Sequence, residues 1–252
     1  MQNAALRKKK LPAVYLPFHV RPAELSSFVK WARKNKIAGL NVTIPHKESI
    51  LKFLDAVSPE ARAIGAVNTI LRKGRKLIGH NTDGIGYLRS LREEVGFSPR
   101  GKKILVLGAG GSARALLHSF RKNGARKVYI ANRTFQKGAK LAKKFGAVPL
   151  HLSDLSKILP EIDLVVNATS VGLKGTRFKA FPFGSLKAKA IVSDLVYRPV
   201  LTPFLREAKK RKMRTHSGLG MLLHQGAESF RIWTGKKPDL KAMRKALLAG
   251  LE

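Results

Sequence analysis

The chain of 252 residues, 44% of them hydrophobic, is long enough for two modest domains with sizeable cores. It has no cysteine, which excludes a disulfide framework and a thiolate metal site, and its seven histidines lack close-paired ligand spacing, so no metal is expected. Fifty Lys and Arg against 15 Asp and Glu give a formal net charge of +35, which raises polyanion binding as a class to be weighed.

In chain order, Pro12–Val20 is apolar and strand-like, and Ala23–Lys36 has helical spacing with Leu25, Phe28, Val29 and Ala32 on one side. Ile37–Ile44 reads as a strand, and Pro59–Ile64 as a short helix. Thr69–Leu71 with Lys76–Ile78 reads as a hairpin around Gly74. Gly84–Val95 is a linking helix. A regular alternation then follows: strand 103–107, helix 111–123, strand 127–131, helix 135–145, strands 163–167 and 190–194, helix 202–211. That order predicts a parallel, doubly wound sheet. Two helices, Met221–Trp233 and Leu240–Leu248, close the chain. No apolar stretch is long enough to span a bilayer. The run after the basic cluster Arg7–Lys10 holds Pro12, Pro17 and His19 with no small-residue cleavage site, so a cytoplasmic protein is expected.

Three polar clusters stand between the apolar runs: Asn41-Val42-Thr43-Ile44-Pro45-His46-Lys47, Gly65-Ala66-Val67-Asn68-Thr69, and His80-Asn81-Thr82-Asp83-Gly84. They place a lysine, a carboxylate, asparagines and threonines on loops where side chains can converge. Farther on, Gly108-Ala109-Gly110-Gly111-Ser112-Ala113 matches GxGxxA between a strand and a helix. Gly108 suits the tight turn, Gly110 a close backbone approach to a pyrophosphate, and Ala113 close helix packing. The next strand ends in Ala131-Asn132-Arg133-Thr134, with Lys137 one turn on. A carboxylate for a ribose 2′-hydroxyl is absent there. Arg133 instead offers charge-assisted bonds to a 2′-phosphate, with Asn132 and Thr134 as neutral donors, so the expected cofactor is NADP.

These motifs, with Asn167-Ala168-Thr169-Ser170 and the Gly218–Phe230 segment, resemble shikimate dehydrogenase in order and spacing over nearly the whole chain. The resemblance implies an α/β fold of two domains: a substrate domain over residues 1–84, a Rossmann-type domain over 85–217, and C-terminal helices over 218–252 that return to the first domain. It implies reduction of 3-dehydroshikimate to shikimate in aromatic amino-acid biosynthesis. Lys47 and Asp83 would be catalytic, since hydride reduction of a ketone needs a proton donor at the carbonyl oxygen. Thr43, Asn68, Tyr197 and Gln225 would bind the polyhydroxylated substrate, with Asn81 supporting the Asp83 loop. Leu195 and Gly218 would join Gly108 to Ser112, Asn132 to Thr134, and Lys137 at the cofactor. His46, His80 and His224 are read as structural neighbours. The family begins with a strand and a Ser-x-Ser-Pro turn ahead of a segment like Gln2–Leu6, and this sequence starts past them. The expectation is NADP binding with weak or no shikimate turnover and reduced stability, both restored by an upstream extension that encodes the strand and Ser-x-Ser.

Two rival readings stay open. One is a quinate/shikimate dehydrogenase that uses NAD. The other is a family member with impaired catalysis that binds polyanions. Against the latter, basic residues recur at 7–10, 72–76, 102–103, 209–214 and 236–237 without a nucleic-acid motif, which favours a solvated surface that steers anionic ligands. The partner expected is thus a small molecule, not a specific nucleic acid or a membrane, and the protein a monomer or homodimer.

Overall fold

The computed structural model describes residues 1–178 and 180–251. Two compact units emerge from the contacts: Met1–Gly86 with Leu223–Glu252, and Tyr87–Leu222.

The first unit carries helices α1 (Gln2–Lys8) and α2 (Leu25–Lys34), strands β1 (Gly39–Asn41) and β2 (Ala56–Val57), helix α3 (Pro59–Ile64), strands β3 (Thr69–Lys73) and β4 (Lys76–His80), and the start of α4 (Asp83–Val95). Its sheet has the order β1-β3-β4-β2, antiparallel except for the parallel β2–β4 pair. The hairpin pairs Leu71 with Ile78. Helix α3 forms where local signals agree: the Ser58 hydroxyl caps Ala61 N–H at 3.2 Å, Pro59 opens the first turn, and Gly65 ends it at φ 75°. Leu25, Val29, Ile50, Ala61, Val67, Ile70 and Leu77 form the core beneath this sheet.

Pro12–Val20 is not a strand. The apolar residues are there, but a strand needs a ladder. Here the main chain of Tyr15 bonds on both sides to the Asn3 amide (2.7 and 2.9 Å), and the Val20 carbonyl accepts from His46 Nε2 at 2.7 Å. Val14, Leu16 and Phe18 are consequently exposed. The predicted strand at Ile37–Ile44 narrows to the three residues of β1, an edge strand.

The second unit continues with β5 (Lys103–Leu107), α5 (Gly111–Lys122), β6 (Lys127–Ala131), α6 (Phe135–Phe145), β7 (Val148–Leu150), α7 (Leu155–Ile158), β8 (Leu164–Asn167), β9 (Val171–Lys174), β10 (Ile191–Asp194), α8 (Pro203–Lys210), β11 (Arg214–Ser217) and the first residues of α9 (Gly218–Thr234). Six strands form a parallel sheet in the order β11-β10-β8-β5-β6-β7. The chain winds outward from β5 in both directions, the doubly wound Rossmann order. Both faces are covered. Ile104 and Val106 of β5 pack in one cluster with Leu116, Leu117 and Phe120 of α5, while Leu105 and Leu107 pack in the other with Leu155, Phe204 and Leu205. The last helix, α10 (Leu240–Ala249), belongs to the first unit, where Met243 packs with Ala5, Leu223, Ala227 and Phe230.

Candidate active site

Main-chain bonds bring the three polar loops of the first unit side by side. Val67 N donates to the Lys47 carbonyl at 2.7 Å, Val42 N to the Asn68 carbonyl at 2.8 Å, and Asn68 N to the His80 carbonyl at 3.0 Å. Helix α4 starts at Asp83, whose N–H is held by Asn81 Oδ1 at 3.0 Å, and Asn81 in turn donates to the Ala66 carbonyl at 2.9 Å. The expected supporting role of Asn81 for this loop has this geometric basis.

Lys47 Nζ donates to Asp83 Oδ2 at 2.6 Å, and Asn68 Nδ2 lies 2.8 Å from Asp83 Oδ1. Both carboxylate oxygens are thereby engaged. The Asp83 side chain is 0% exposed and that of Lys47 12%, so the carboxylate is sealed while the lysine side chain keeps slight exposure. Such a buried, oriented ion pair suits transfer of a proton to a ligand oxygen. Asn68 Nδ2 also lies 2.9 Å from Gln225 Oε1 on α9. Gly86 makes this approach possible: a Cβ there would lie 2.6 Å from Gln225 N and 2.9 Å from its Cα. Thr43 is exposed, and its carbonyl accepts from His46 N at 2.8 Å in the turn that leads to Lys47.

Two members of this polar cluster were not singled out from sequence. Asn41 Nδ2 lies 3.0 Å from Ser229 Oγ and 3.2 Å from Thr69 Oγ1, and the Thr69 and Ser229 hydroxyls are 2.7 Å apart. The available signal was helical spacing, since Ser229 lies one turn beyond Gln225 on α9.

In the second unit the loops after β5, β6, β8 and β10 stand at the C-terminal edge of the parallel sheet. Gly108 has φ 108°, and a Cβ on it would lie 2.9 Å from Thr169 Cγ2 and 3.0 Å from the Ala168 main chain. The turn therefore lies where the strand order reverses between β5 and β8, the usual crevice for a dinucleotide. Gly110 caps α5 without a side-chain bond, and a Cβ on it would meet nothing within 4 Å. The cradle is open, and the helix start faces it with N–H groups that favour an anion. Ala109, Gly111 and Ser112 complete the turn. After β6, Asn132 Nδ2 donates to the Thr134 carbonyl at 2.8 Å, while Arg133, Thr134 and Lys137 are exposed. A cationic strand end without a carboxylate fits a dinucleotide with a 2′-phosphate.

The other edge loops are braced by buried Asp194. It accepts from Asn167 Nδ2 at 2.9 Å, Val196 N at 2.9 Å and Thr202 Oγ1 at 2.7 Å, and burial pushes its pKa up to about 6. Gly218 is required because a Cβ there would overlap the Leu195 carbonyl. Tyr197, just beyond Leu195, is exposed. Among the described residues no group of three His, Asp or Glu side chains is arranged to hold a metal ion.

Residues 1–70 match a family profile described as Shikimate dehydrogenase substrate binding domain, residues 91–174 one described as Shikimate / quinate 5-dehydrogenase, and residues 218–248 one described as Shikimate 5'-dehydrogenase C-terminal domain. A shikimate dehydrogenase (NADP(+)) of Geobacter metallireducens is 45% identical over 100% of this chain and 91% of its own length. The chain belongs to the shikimate dehydrogenase family. In structure it resembles the shikimate 5-dehydrogenase of Thermus thermophilus in complex with NADP(H) and shikimate, with a TM-score of 0.90 and 39% identity, over 99% of this chain and 93% of that one. It also resembles a shikimate 5-dehydrogenase of Listeria monocytogenes in complex with shikimate and NAD, with a TM-score of 0.88 and 36% identity, over 98% and 90% of the two chains. The two-domain α/β fold and the oxidoreductase class expected from sequence are those of this shikimate dehydrogenase family.

Proposed function

We propose that this chain is an NADP-dependent shikimate dehydrogenase that interconverts 3-dehydroshikimate and shikimate in aromatic amino-acid biosynthesis. The observation that carries the reading is the Lys47–Asp83 pair at 2.6 Å, with Asn68 on the other carboxylate oxygen of Asp83. Bound NADPH supplies the hydride. As negative charge builds on the substrate carbonyl oxygen, Lys47 donates the proton that turns it into a hydroxyl, and in the reverse direction it takes that proton back. Asp83 holds the ammonium in place and balances its charge. Asn68 and Gln225, with Thr43 and Tyr197, pair with the ring hydroxyls, because polar groups left unpaired in a closed site are costly.

Gly108, Ala109, Gly110, Gly111 and Ser112 cradle the pyrophosphate. Asn132, Arg133, Thr134 and Lys137 hold the adenosine phosphate, and Leu195 and Gly218 line the nicotinamide end. The enzyme acts on small molecules in the cytoplasm as a monomer or homodimer, without a dedicated nucleic-acid site. Initial rates with shikimate or quinate, each with NADP+ or NAD+, test the reading. Preference for shikimate with NADP+ is expected; faster turnover of quinate with NAD+ would replace it with a quinate/shikimate dehydrogenase.

A further inference from the structure

The parallel β6–β7 pair places Tyr129 beside Val148, Ile130 beside Pro149 and Ala131 beside Leu150. His151 follows the last paired residue of β7, as Asn132 and the Arg133 loop follow that of β6. The ring of His151 lies parallel to that of Phe135, with centroids 3.8 Å apart and planes at 5°. Phe135 follows Thr134 directly and opens α6, so the stack ties His151 to the segment that carries the guanidinium. Stacking occupies a face of the imidazole and leaves the nitrogens on its edge unblocked by Phe135. His151 is exposed. Asp154 lies within electrostatic reach of His151 but is itself engaged by Lys157 at 2.6 Å.

We propose that His151 is a specificity-determining residue for the cofactor, a further side chain beside Arg133 and Lys137 that contacts the 2′-phosphate of NADP. The proposal rests on the NADP reading above. An imidazole nitrogen can donate a hydrogen bond to a phosphate oxygen, so its contribution adds to the charge-assisted bonds of Arg133.

The test is calorimetric binding of NADP+ and of NAD+ to the full chain, for wild type, His151→Ala, His151→Arg and Phe135→Leu. His151→Ala is expected to weaken NADP+ by about three- to tenfold, the scale of one solvent-accessible hydrogen bond, with NAD+ affinity unchanged. His151→Arg should keep or exceed the wild-type preference for NADP+. Phe135→Leu should show a smaller loss of the same selective kind. Unchanged NAD+ affinity also reports that the domain is folded. Equal loss for both cofactors, or no loss for either, would overturn the role of His151 while leaving the NADP reading intact. A wild-type chain that binds NAD+ as tightly as NADP+ would overturn both.

Discussion

The carboxylate of Asp83 is the residue on which the proposed chemistry turns. Asp83→Asn preserves shape and the contact with Asn68, but it either sets an amide donor against the Lys47 ammonium or leaves a neutral acceptor there. A fall in kcat of about 10²- to 10³-fold is expected, with a thermal midpoint close to wild type, as measured by steady-state kinetics and calorimetry. A near-normal kcat would remove Asp83 from the mechanism. At the cofactor, Arg133→Ala should raise the KM for NADPH by about tenfold to a hundredfold and leave that for NADH nearly unchanged, because only NADPH carries the 2′-phosphate. Equal losses would make Arg133 a fold-supporting residue. Lys47 and Asp83 were legible in sequence because they stand in short polar loops between apolar runs. Asn41 and Ser229 were not, since their bond joins positions 188 residues apart and each alone looks like an ordinary polar residue.

Elements were legible wherever local pattern and burial agree. β5 and β6 occupy the predicted spans because a strand buried on both faces is a continuous apolar run. β7 and β11 were missed for the converse reason: both are sheet edges, where Pro149 in one and the polar Arg214–Ser217 sequence of the other are tolerated. Helices α4 and α9 meet closely at Gly86 and Gln225. Gly86→Ala should force the Gln225 main chain away, cost about 1–3 kcal/mol of stability, and raise the KM for shikimate more than it lowers kcat. An unchanged KM with intact stability would show that the helices separate without cost.

A polar chain joins α4 to β10 and β11. Tyr87 donates to Ser193 Oγ at 2.9 Å, and His216 bridges Ser193 at 2.9 Å to Ser90 at 2.6 Å. Burial pushes His216 down to about 4, so the unfolded chain takes up a proton first and stability falls as pH drops from about 6.5 towards 4. Asp194, raised to about 6, acts oppositely: the folded chain takes up the proton first, and stability rises as pH drops through 6. Each effect is on the order of 3 kcal/mol, so the two nearly offset. Denaturant unfolding at pH 7 and pH 4.5 should therefore show His216→Asn gaining stability in acid relative to wild type and Asp194→Asn losing it. Parallel behaviour of both variants would contradict the assignment.

At the scale of the whole molecule, the net charge of +35 is spread over every part of the chain. Such a surface should draw in anionic ligands through a field that salt screens, so kcat/KM should fall as ionic strength rises while kcat holds. Filter binding to duplex DNA and to RNA at about 0.15 M salt should show no sub-micromolar retention; tight retention would favour a polyanion-binding role. In the proposed reaction Lys47 protonates the substrate carbonyl oxygen as NADPH delivers the hydride. The most direct measurement is the rate of shikimate oxidation with NADP+ by the wild-type and Lys47→Ala chains side by side, with shikimate binding followed by calorimetry. A fall in kcat of about 10²- to 10⁴-fold at nearly unchanged shikimate affinity is the expected result, and a Lys47→Ala chain that turns over at the wild-type rate would contradict the account.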